Sequence, residues 1–562
     1  SSLRPRLLAL AVLLATASPT LHAQSTTGAI AGQAPATAQR IFVRSDTGLT
    51  REVTVDGRGR FTVGQLPLGR YVVEARDAEG NVLQTREGIS LTVGASTEVS
   101  FTDVTRLDGV QVSADRAAAA IDVSSVDSRT VITAEQLQRL PLGRSAEAIA
   151  QLAPGVNGNS GNGTYAGPTG AQLVSFGGSS AAENAYYING FNSTDPLRGL
   201  GGLTLPYGSI DQQEIYTGGY SAKYGRSDGG VINAVGKRGT NEWRFGGQVT
   251  WEPASTRSDK DDVRYPGNGA LYSPESQDRE WVTTQSIYAG GPLLEDRLFF
   301  FGSYELERRE GTDVKNVEAT NAYSRYEYDR PRWYAKLDWN ITDNHLLELT
   351  GASSRNVFRG DSFAYDYDTL TRGAQRGKED TTKTGGDLWT AKYTGYLTDR
   401  LTVSAQYGEM RTDDYIGNPA YDGSLTYISS ATLQNPALNG GTPITNAQTT
   451  SLLVNPDRGN RTNNLRLDAN YRWGNHSITV GIDNQNARAL NRGSVASADG
   501  YYWIYGQSNP NVPLNTGLGV PATGGIRNGE DGYYVRQYIY SALASVRASQ
   551  RAQYIEDNWQ VT

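Results

Sequence analysis

The feature that most constrains the fold is a unit that occurs four times between residues 281 and 487. Each unit contains a predicted strand, a short polar turn, a second strand and a long polar loop. Antiparallel transmembrane barrels have short turns at one end and long loops at the other, so the repeat predicts a membrane-spanning β-barrel. The predicted turns are 294–297, 342–344, 398–400 and 474–476, and the predicted loops are 308–330, 355–387 and 412–463.

The predicted strands alternate between apolar and polar residues. Segments 333–341, 389–397 and 465–473 all follow this period, which places alternate side chains on opposite faces of a sheet. One face suits lipid and the other suits a wet or protein-filled lumen. A soluble β-sandwich also alternates, but it rarely combines long strands with such long loops. The clearest example sets Trp333, Ala335, Leu337, Trp339 and Ile341 against Tyr334, Lys336, Asp338 and Asn340.

The composition agrees with a barrel rather than a helical membrane protein. Among 562 residues, 38% are hydrophobic, 64 are Gly and 33 are Tyr, as expected where only alternate residues meet lipid. Cysteine is absent, which excludes disulfides and thiolate ligands. The formal net charge is −7, and no basic run occurs, which argues against nucleic-acid binding.

Residues 1–23 are predicted to form a signal peptide. Arg4 and Arg6 precede an apolar run at residues 7–17, which is too short to span a bilayer. Ala23 ends a small-residue cleavage site, so we expect the mature chain to begin near Gln24. The chain is therefore expected to be exported.

Residues 24–103 are predicted to form a small β-sandwich. Short strands at evenly spaced intervals, with Gly and Pro turns between them, are typical of this fold. The segment 59–73 resembles the carboxypeptidase regulatory-like module, through its Gly/Phe strand, its Leu-Pro-Leu-Gly turn and its Tyr strand. The resemblance implies a non-catalytic module. The predicted strands are 40–44, 51–55, 61–63, 71–75, 90–93 and 97–101.

Residues 104–129 are predicted to form a linker. Its first part, 104–113, contains an acidic residue followed by alternating valines. Such a peptide could add a strand to the sheet edge of a partner, or it could be an ordinary connection. The residues themselves leave both readings open.

Residues 130–240 are predicted to form a mixed α+β unit. Thr133 is placed to cap one short helix, and a second helix is expected within 144–152. Strand-like pieces follow at 173–176, 185–188, 213–216 and 230–235, and Asn189-Gly190 is a hairpin-turn signal. A glycine-rich unit with many loops suits a plug that fills a pore, and we expect polar contacts rather than an apolar core to hold it.

This unit resembles the plug of TonB-dependent outer-membrane receptors. The resemblance is carried by 137–155, by 185–196, and most of all by 218–242, which begins Gly-Gly-Tyr-Ser-Ala-Lys-Tyr-Gly-Arg. A regulatory-like module ahead of the plug points to the Oar-like subgroup. The resemblance implies gated uptake of a solute, with energy supplied by the inner-membrane partner TonB. It also implies a barrel in outer-membrane lipid, a periplasmic N-terminal module and no cofactor.

By position in this family, the linker contains the TonB box. The residues that match this place are Asp108, Gly109, Val110, Gln111 and Val112. Residues 241–562 then supply about ten predicted barrel strands, whereas a plugged receptor needs about 22. We therefore expect a truncated barrel, that is, one part of a longer protein.

The solute is not specified by the sequence. Candidate contacts are three polar residues of the plug and four loop aromatics. The same aromatics could instead serve an adhesin or a structural surface protein, which is the alternative function. His345 and His476 fall at turns, so no enzyme is expected, and the acidic stretch 361–368 suits a solvated loop better than a metal site. The candidates are Asn189, Asn192, Asp195, Tyr365, Tyr367, Tyr502 and Trp503.

Overall fold

The structure, a computed structural model, describes most of the chain. The predicted signal peptide and the candidate TonB box lie outside the described residues. Within the described residues, no helix combines the length and the hydropathy needed to cross a membrane. The described ranges are 26–101, 128–140, 143–158, 172–196, 201–224, 227–317, 322–417, 421–448, 450–454, 458–490, 494–496, 500–511, 531–542 and 545–559.

The N-terminal module, residues 26–101, is a sandwich of two sheets. Its strands are β1 (Thr27–Gln33), β2 (Arg40–Ser45), β3 (Thr50–Thr54), β4 (Arg60–Pro67), β5 (Arg70–Arg76), β6 (Val82–Ser90) and β7 (Ser96–Ser100). The sheet orders are β4-β1-β7 and β3-β2-β5-β6, and alternate residues such as Ile30, Val43, Val63 and Val73 are buried between the sheets. Strand β1 was not predicted, and the predicted strand at 90–93 is wrong, because the chain forms β6 just before it. Strand β6 escaped prediction since it is exposed on both faces and therefore does not alternate.

The plug, residues 128–240, is built on a five-stranded sheet. Its elements are β8 (Ser128–Thr133), α1 (Ala134–Arg139), α2 (Ala146–Ala150), β9 (Val156–Gly158), β10 (Val174–Phe176), β11 (Ala185–Ile188), β12 (Phe191–Asn192), β13 (Ile210–Gly218) and β14 (Val231–Gly236). The sheet order is β12-β11-β14-β13-β8. Thr133 caps the first helix in a capping box, as predicted. Asn189 and Gly190 form the predicted hairpin turn, with φ angles of 48° and 78°.

An apolar core fills the space between the plug sheet and its helices. Leu137, Ile149 and Ile215 are buried in it, together with Phe301 and Met410 from the barrel strands. The expectation that polar contacts rather than an apolar core hold the plug is therefore only half right, because an apolar cluster joins the plug to the wall in addition to the polar contacts described below. The glycine-rich composition concealed this core, because its apolar residues are scattered among short strands and loops.

The remaining long strands form one antiparallel ten-stranded sheet, here called the wall. The wall consists of β15 (Arg244–Glu252), β18 (Arg279–Leu294), β19 (Leu298–Val314), β20 (Tyr323–Thr342), β21 (His345–Asp366), β22 (Thr371–Tyr396), β23 (Leu401–Gly417), β26 (Gly459–Trp473), β27 (His476–Leu490) and β32 (Ser545–Trp559). This confirms the predicted strand number. Neighbours in the sheet are also neighbours in the sequence order of these strands, and in the described residues the outer strands β15 and β32 each pair on one side only.

The two faces of the wall differ as the alternation predicts. On β20, Trp333 and Trp339 are 40% and 45% exposed, whereas Tyr334 and Asp338 between them are 1% and 0% exposed. The buried face contacts the plug, and the exposed apolar face is the one that suits lipid.

Two predicted loops are mostly strand. The wall strands continue through most of 308–330 and 355–387, leaving connections at 315–322 and 367–370. Backbone hydrogen bonds continue the ladder there although apolar and polar residues fall on both faces, so no alternation marks these strand extensions. The loop predicted at 412–463 is largely confirmed, since β23 ends at Gly417 and β26 begins at Gly459, and several small elements lie between them. The minor elements are β16 (Val263–Arg264), β17 (Leu271–Ser273), β24 (Ile428–Ser429), α3 (Pro436–Asn439), β25 (Leu452–Val454), β28 (Ser494–Ala496), β29 (Tyr501–Gln507), β30 (Tyr533–Ile539) and β31 (Ser541–Ala542), with short 3₁₀ turns at Ala181–Glu183, Tyr207–Ser209, Ala222–Tyr224, Ala254–Thr256, Glu275–Gln277 and Ala431–Leu433.

Candidate functional site: the seat of the plug in the wall

A buried ion cluster joins the start of α2 to the wall. Arg144 Nη1 of the plug donates to Glu305 Oε2 at 2.9 Å, and Arg332 Nη1 of the wall donates to Glu305 Oε1 at 3.1 Å. The Glu305 side chain is 0% exposed. Arg332 also approaches Glu307 at 3.4 Å, and Arg330 donates to the same carboxylate at 2.7 Å. The charges alternate, so each buried carboxylate has two cationic neighbours.

A second ion cluster lies where the plug sheet ends. Arg238 of the plug reaches Asp338 at 3.3 Å. Lys336 of the wall lies 3.4 Å from the same carboxylate and 2.7 Å from Glu348. Lys392 approaches Glu348 at 3.6 Å. As in the first cluster, a plug arginine contacts a wall carboxylate that already has a cationic partner on the wall.

The Asn189 turn forms a neutral contact between these clusters. Asn189 Nδ2 donates to Tyr334 Oη at 3.0 Å and to Thr350 Oγ1 at 3.1 Å. Its carbonyl oxygen accepts from Gln406 Nε2 at 3.0 Å. Its side-chain oxygen accepts from the Gly236 amide at 2.9 Å, which ties the turn to the end of β14. The turn is therefore fixed on both the plug and the wall.

A polar cavity lies beside this turn, between the module, the plug and the wall. Hydroxyl and amide side chains make up most of its lining, and Lys392, Arg466 and Asp468 add charge. Such a lining can hold water or hydrogen-bond a polar solute. The uncharged wall residues are Thr394, Thr402, Ser404, Gln406, Asn470 and Thr479.

The plug also buries a carboxyl group that has no arginine in hydrogen-bond contact. Glu147 on α2 is 2% exposed, and this burial raises the pKa of its carboxyl to about 7. The Ser145 hydroxyl, which caps α2, and the more distant charge of Arg332 oppose this rise. Near neutral pH this group is therefore divided between its charged and neutral forms.

The candidate solute contacts fall into three places. Asn189, Asn192 and Asp195 are 6–7% exposed and lie within the plug, where the Asn192 side chain accepts from the Thr194 amide at 3.0 Å. Tyr365 lies at the far end of β21 and stacks on Tyr323, with ring centroids 5.9 Å apart.

Tyr367 follows in the adjoining turn and donates to the Asn316 carbonyl at 2.7 Å. Tyr502 and Trp503 lie on β29, where Tyr502 packs against Tyr538 at 4.9 Å and Trp503 against Tyr501 at 5.5 Å. The role of all seven residues in solute contact stays a prediction.

Sequence reasoning missed the two ion clusters. Their wall residues lie on the polar face of alternating strands, which was assigned to a wet or protein-filled lumen without naming any contact to the plug. The available signal was the sign of the charge: Glu305 and Glu307 on β19 face Arg332 and Arg330 on the next strand. Opposite charges at paired strand positions predict cross-strand ion pairs.

These features define a class of protein, a large antiparallel wall with one apolar face and a separate folded unit seated against its polar face. Among known families, the TonB-dependent Receptor Plug Domain matches residues 121–232. The TonB-dependent transporter Oar of Myxococcus xanthus is 29% identical over 261 residues, which is 45% of this chain and 23% of the relative. The chain thus contains a region that matches the plug of TonB-dependent receptors, and it is similar in sequence to a transporter of the Oar type.

Other similar proteins are also receptors or transporters. A probable TonB-dependent siderophore receptor, PirA of Acinetobacter baumannii, is 24% identical over 42% of this chain and 30% of the relative. The solved outer-membrane transporter YddB of Escherichia coli aligns with 77% of this chain and 56% of its own, at 14% identity and a TM-score of 0.47. The matches cover a third or less of the curated relatives and about half of that solved chain. TonB-dependent receptor homologues are outer-membrane proteins.

Proposed function

We propose that this chain is part of an outer-membrane importer in which the plug closes the barrel until TonB displaces it. The observation that carries the proposal is the seat of the plug, where Arg144 and Arg238 contact buried wall carboxylates. Such ion pairs hold a folded unit in one position, yet their partners can exchange for water when the unit moves. The TonB contact is proposed to be Asp108–Val112.

The two ends of the wall support a proposed orientation in the membrane. Outer-membrane barrels place their short turns in the periplasm and their long loops outside the cell. The N-terminal module contacts the short turns, through Arg51 and Asn344 at 2.9 Å for example. We therefore place the module in the periplasm, where a partner from the inner membrane can reach the linker that follows it.

The class of solute stays open, and the names of relatives supply the first probes. PirA is named a probable siderophore receptor, and a relative from Escherichia coli is named the ferrienterobactin receptor. Ferric siderophores are therefore the first solutes to test, followed by cobalamin and oligosaccharides. The polar lining beside the Asn189 turn suits any of these.

The test is deletion of residues 108–112 in the full-length receptor. Uptake of radiolabelled ferric siderophores, cobalamin and oligosaccharides would be measured in cells that carry the receptor and in cells that lack it. The deletion is expected to abolish the receptor-dependent uptake while surface binding stays unchanged. Deletion of residues 116–120 shortens the same linker equally and is expected to leave uptake intact. Equal uptake in the two deletion variants would refute the proposed TonB contact.

We further propose that the protein has no catalytic activity. Within the described residues, no group of three or more acidic or histidine side chains is placed to hold a metal ion. His476 instead pairs with Asp557 at 2.6 Å and stacks on Trp559 at 5.2 Å. Surface adhesion is the alternative function, and it would be favoured if removal of the loop aromatics abolished cell attachment while the deletion of 108–112 left uptake unchanged.

A further inference from the structure

We propose that the N-terminal module is a lid seated across the short-turn end of the wall, and that this seat has to open before a solute can leave the barrel there. The inference rests on the proposed function, since a lid matters only if the barrel conducts. It adds a second closure to the one formed by the plug.

The module reaches each of the four predicted turns, 294–297, 342–344, 398–400 and 474–476, or the strand end beside it. At the first turn, a Cβ atom on Gly48 would lie 2.6 Å from Asp296 Cβ, so the Asp296 side chain lies directly against the Gly48 backbone. At the second, Arg51 Nη1 donates to Asn344 Oδ1 at 2.9 Å. At the third, Tyr396 Oη donates to the Gln65 carbonyl at 2.7 Å, and at the fourth Arg60 Nη2 donates to Asn475 Oδ1 at 3.3 Å. These contacts spread over the whole row of turns.

The module is also joined to the plug. Gln212 of β13 donates to the Leu91 carbonyl at 2.8 Å and accepts from the Val93 amide at 2.9 Å. Val235 of β14 is buried in the apolar cluster of the module, and Val131 of β8 packs against it. The module therefore covers the side of the plug that faces the short turns, and neither the plug nor a solute can move out past the module while it stays there.

The chemistry of the wall contacts suits a seat that opens. Arg51 is 8% exposed, with its guanidinium 4.4 Å above the Tyr396 ring. The wall groups that meet the module are mostly polar or charged, such as the Asn344 amide, the Tyr396 hydroxyl and the Lys392 ammonium, and water can solvate them once the module has left. The seat differs in this respect from the interior of the module, where apolar side chains are buried on both sheets.

A disulfide can lock the seat, because the chain has no cysteine of its own. Gly48→Cys with Asp296→Cys places two Cβ atoms 2.6 Å apart, and disulfides need about 3.5–4.5 Å. A displacement of about 1 Å at this exposed turn satisfies that range. Either single substitution alone is the control for local disturbance.

The readout is ionic conductance, so that no solute has to be known. The purified full-length receptor would be inserted into planar lipid bilayers with potassium chloride as the probe, and urea would be raised until channels open. The oxidised double variant is expected to stay closed at urea concentrations that open the reduced form, and reductant is expected to restore opening. The proposal of a lid would be refuted if conductance began at the same urea concentration with and without reductant in a variant shown to be cross-linked.

A second variant tests the seat without a cross-link. Arg51→Gln removes the contacts with Asn344 and Tyr396, and is expected to lower the urea midpoint of opening by about 1 M. Arg40→Gln is the matched control, because this arginine of the same sheet is half exposed and its ion pair in the described residues is with Glu52 of the module, at 3.7 Å. Equal midpoints for the two variants would contradict the lid. A receptor that never conducts, even when reduced in high urea, would refute the proposed pore and the lid together.

Discussion

The ion pair between Arg144 and Glu305 gives the sharpest test of how the plug is held. The Arg144 side chain contacts two wall strands at once. One terminal nitrogen donates to Glu305 at 2.9 Å, and the other donates to Gln248 and Thr250 at 3.0 and 3.1 Å. Its side chain is 16% exposed, and that of Glu305 is 0% exposed. Arg144→Gln would remove the charge and most of these donors.

The expected loss follows from what remains around Glu305. Removing one partner of a buried ion pair costs about 3–5 kcal/mol when the other charge is left alone. Here Arg332 still donates to Glu305 at 3.1 Å, so the lower end, about 3 kcal/mol, applies. Since about 1.4 kcal/mol corresponds to a factor of ten, opening of the plug should become roughly a hundredfold more frequent.

Native-state hydrogen exchange on the full-length receptor in detergent measures this opening. Amides of β11, β13 and β14 are expected to exchange about a hundredfold faster in the Arg144→Gln variant. Arg139→Gln is the matched control, since its pair with Glu135 is about three-quarters exposed on both sides and is expected to change exchange by less than about threefold. Equal effects of the two substitutions, or an effect confined to α2, would refute the reasoning.

Three further outcomes are expected in the same receptor. Folding raises the pKa of Glu147 from 4.5 to about 7, so the folded plug binds this proton more tightly than the unfolded chain. Plug stability should therefore fall by up to about 3 kcal/mol as the pH rises between these two pKa values. Glu147→Gln should flatten the pH profile measured by thermal unfolding. Gly236→Ala should speed amide exchange in the plug, since a Cβ atom there would lie 2.3 Å from the Tyr334 ring. A Cβ atom at Gly218 would meet no atom within 4 Å, so Gly218→Ala should leave the exchange rates unchanged. Leu467→Arg puts a charge on the exposed apolar face of β26 and should lower the stability of the barrel by up to about 2–4 kcal/mol, depending on the depth of this residue in the bilayer. Gels that separate folded from unfolded receptor should show a smaller folded fraction. An unchanged folded fraction would contradict the assignment of this face to lipid.

The wall could be predicted because its cause is local in the sequence. A period of two follows directly from strand geometry when one face meets lipid and the other does not. The alternation around Trp333 and Asp338 is therefore enough to assign each of them to its face, and the four short turns appear where polar residues interrupt the period. The extra strand length at 355–366 could not be predicted in this way, because apolar and polar residues fall on both faces there.

The seat of the plug could not be predicted, because it depends on contacts between distant segments. Arg144 and Glu305 are separated by 161 positions, and nothing around either residue specifies the other. The same holds for Arg51 and Asn344, which join the module to a turn 293 positions away. Local patterns specify elements, whereas these pairs are specified only by how the elements are packed.

The arrangement of charge explains how a buried ionic seat can also be reversible. An isolated buried carboxylate would resist the departure of its only partner, since it would be left without compensation. Glu305 and Asp338 avoid this, because Arg332 and Lys336 pair with them from the wall itself. If the plug leaves as proposed, the wall would keep these pairs and the plug arginine of each cluster would enter water. Each plug arginine thus adds specificity to a wall site that is already neutralised, which lowers the cost of release relative to a simple two-residue pair.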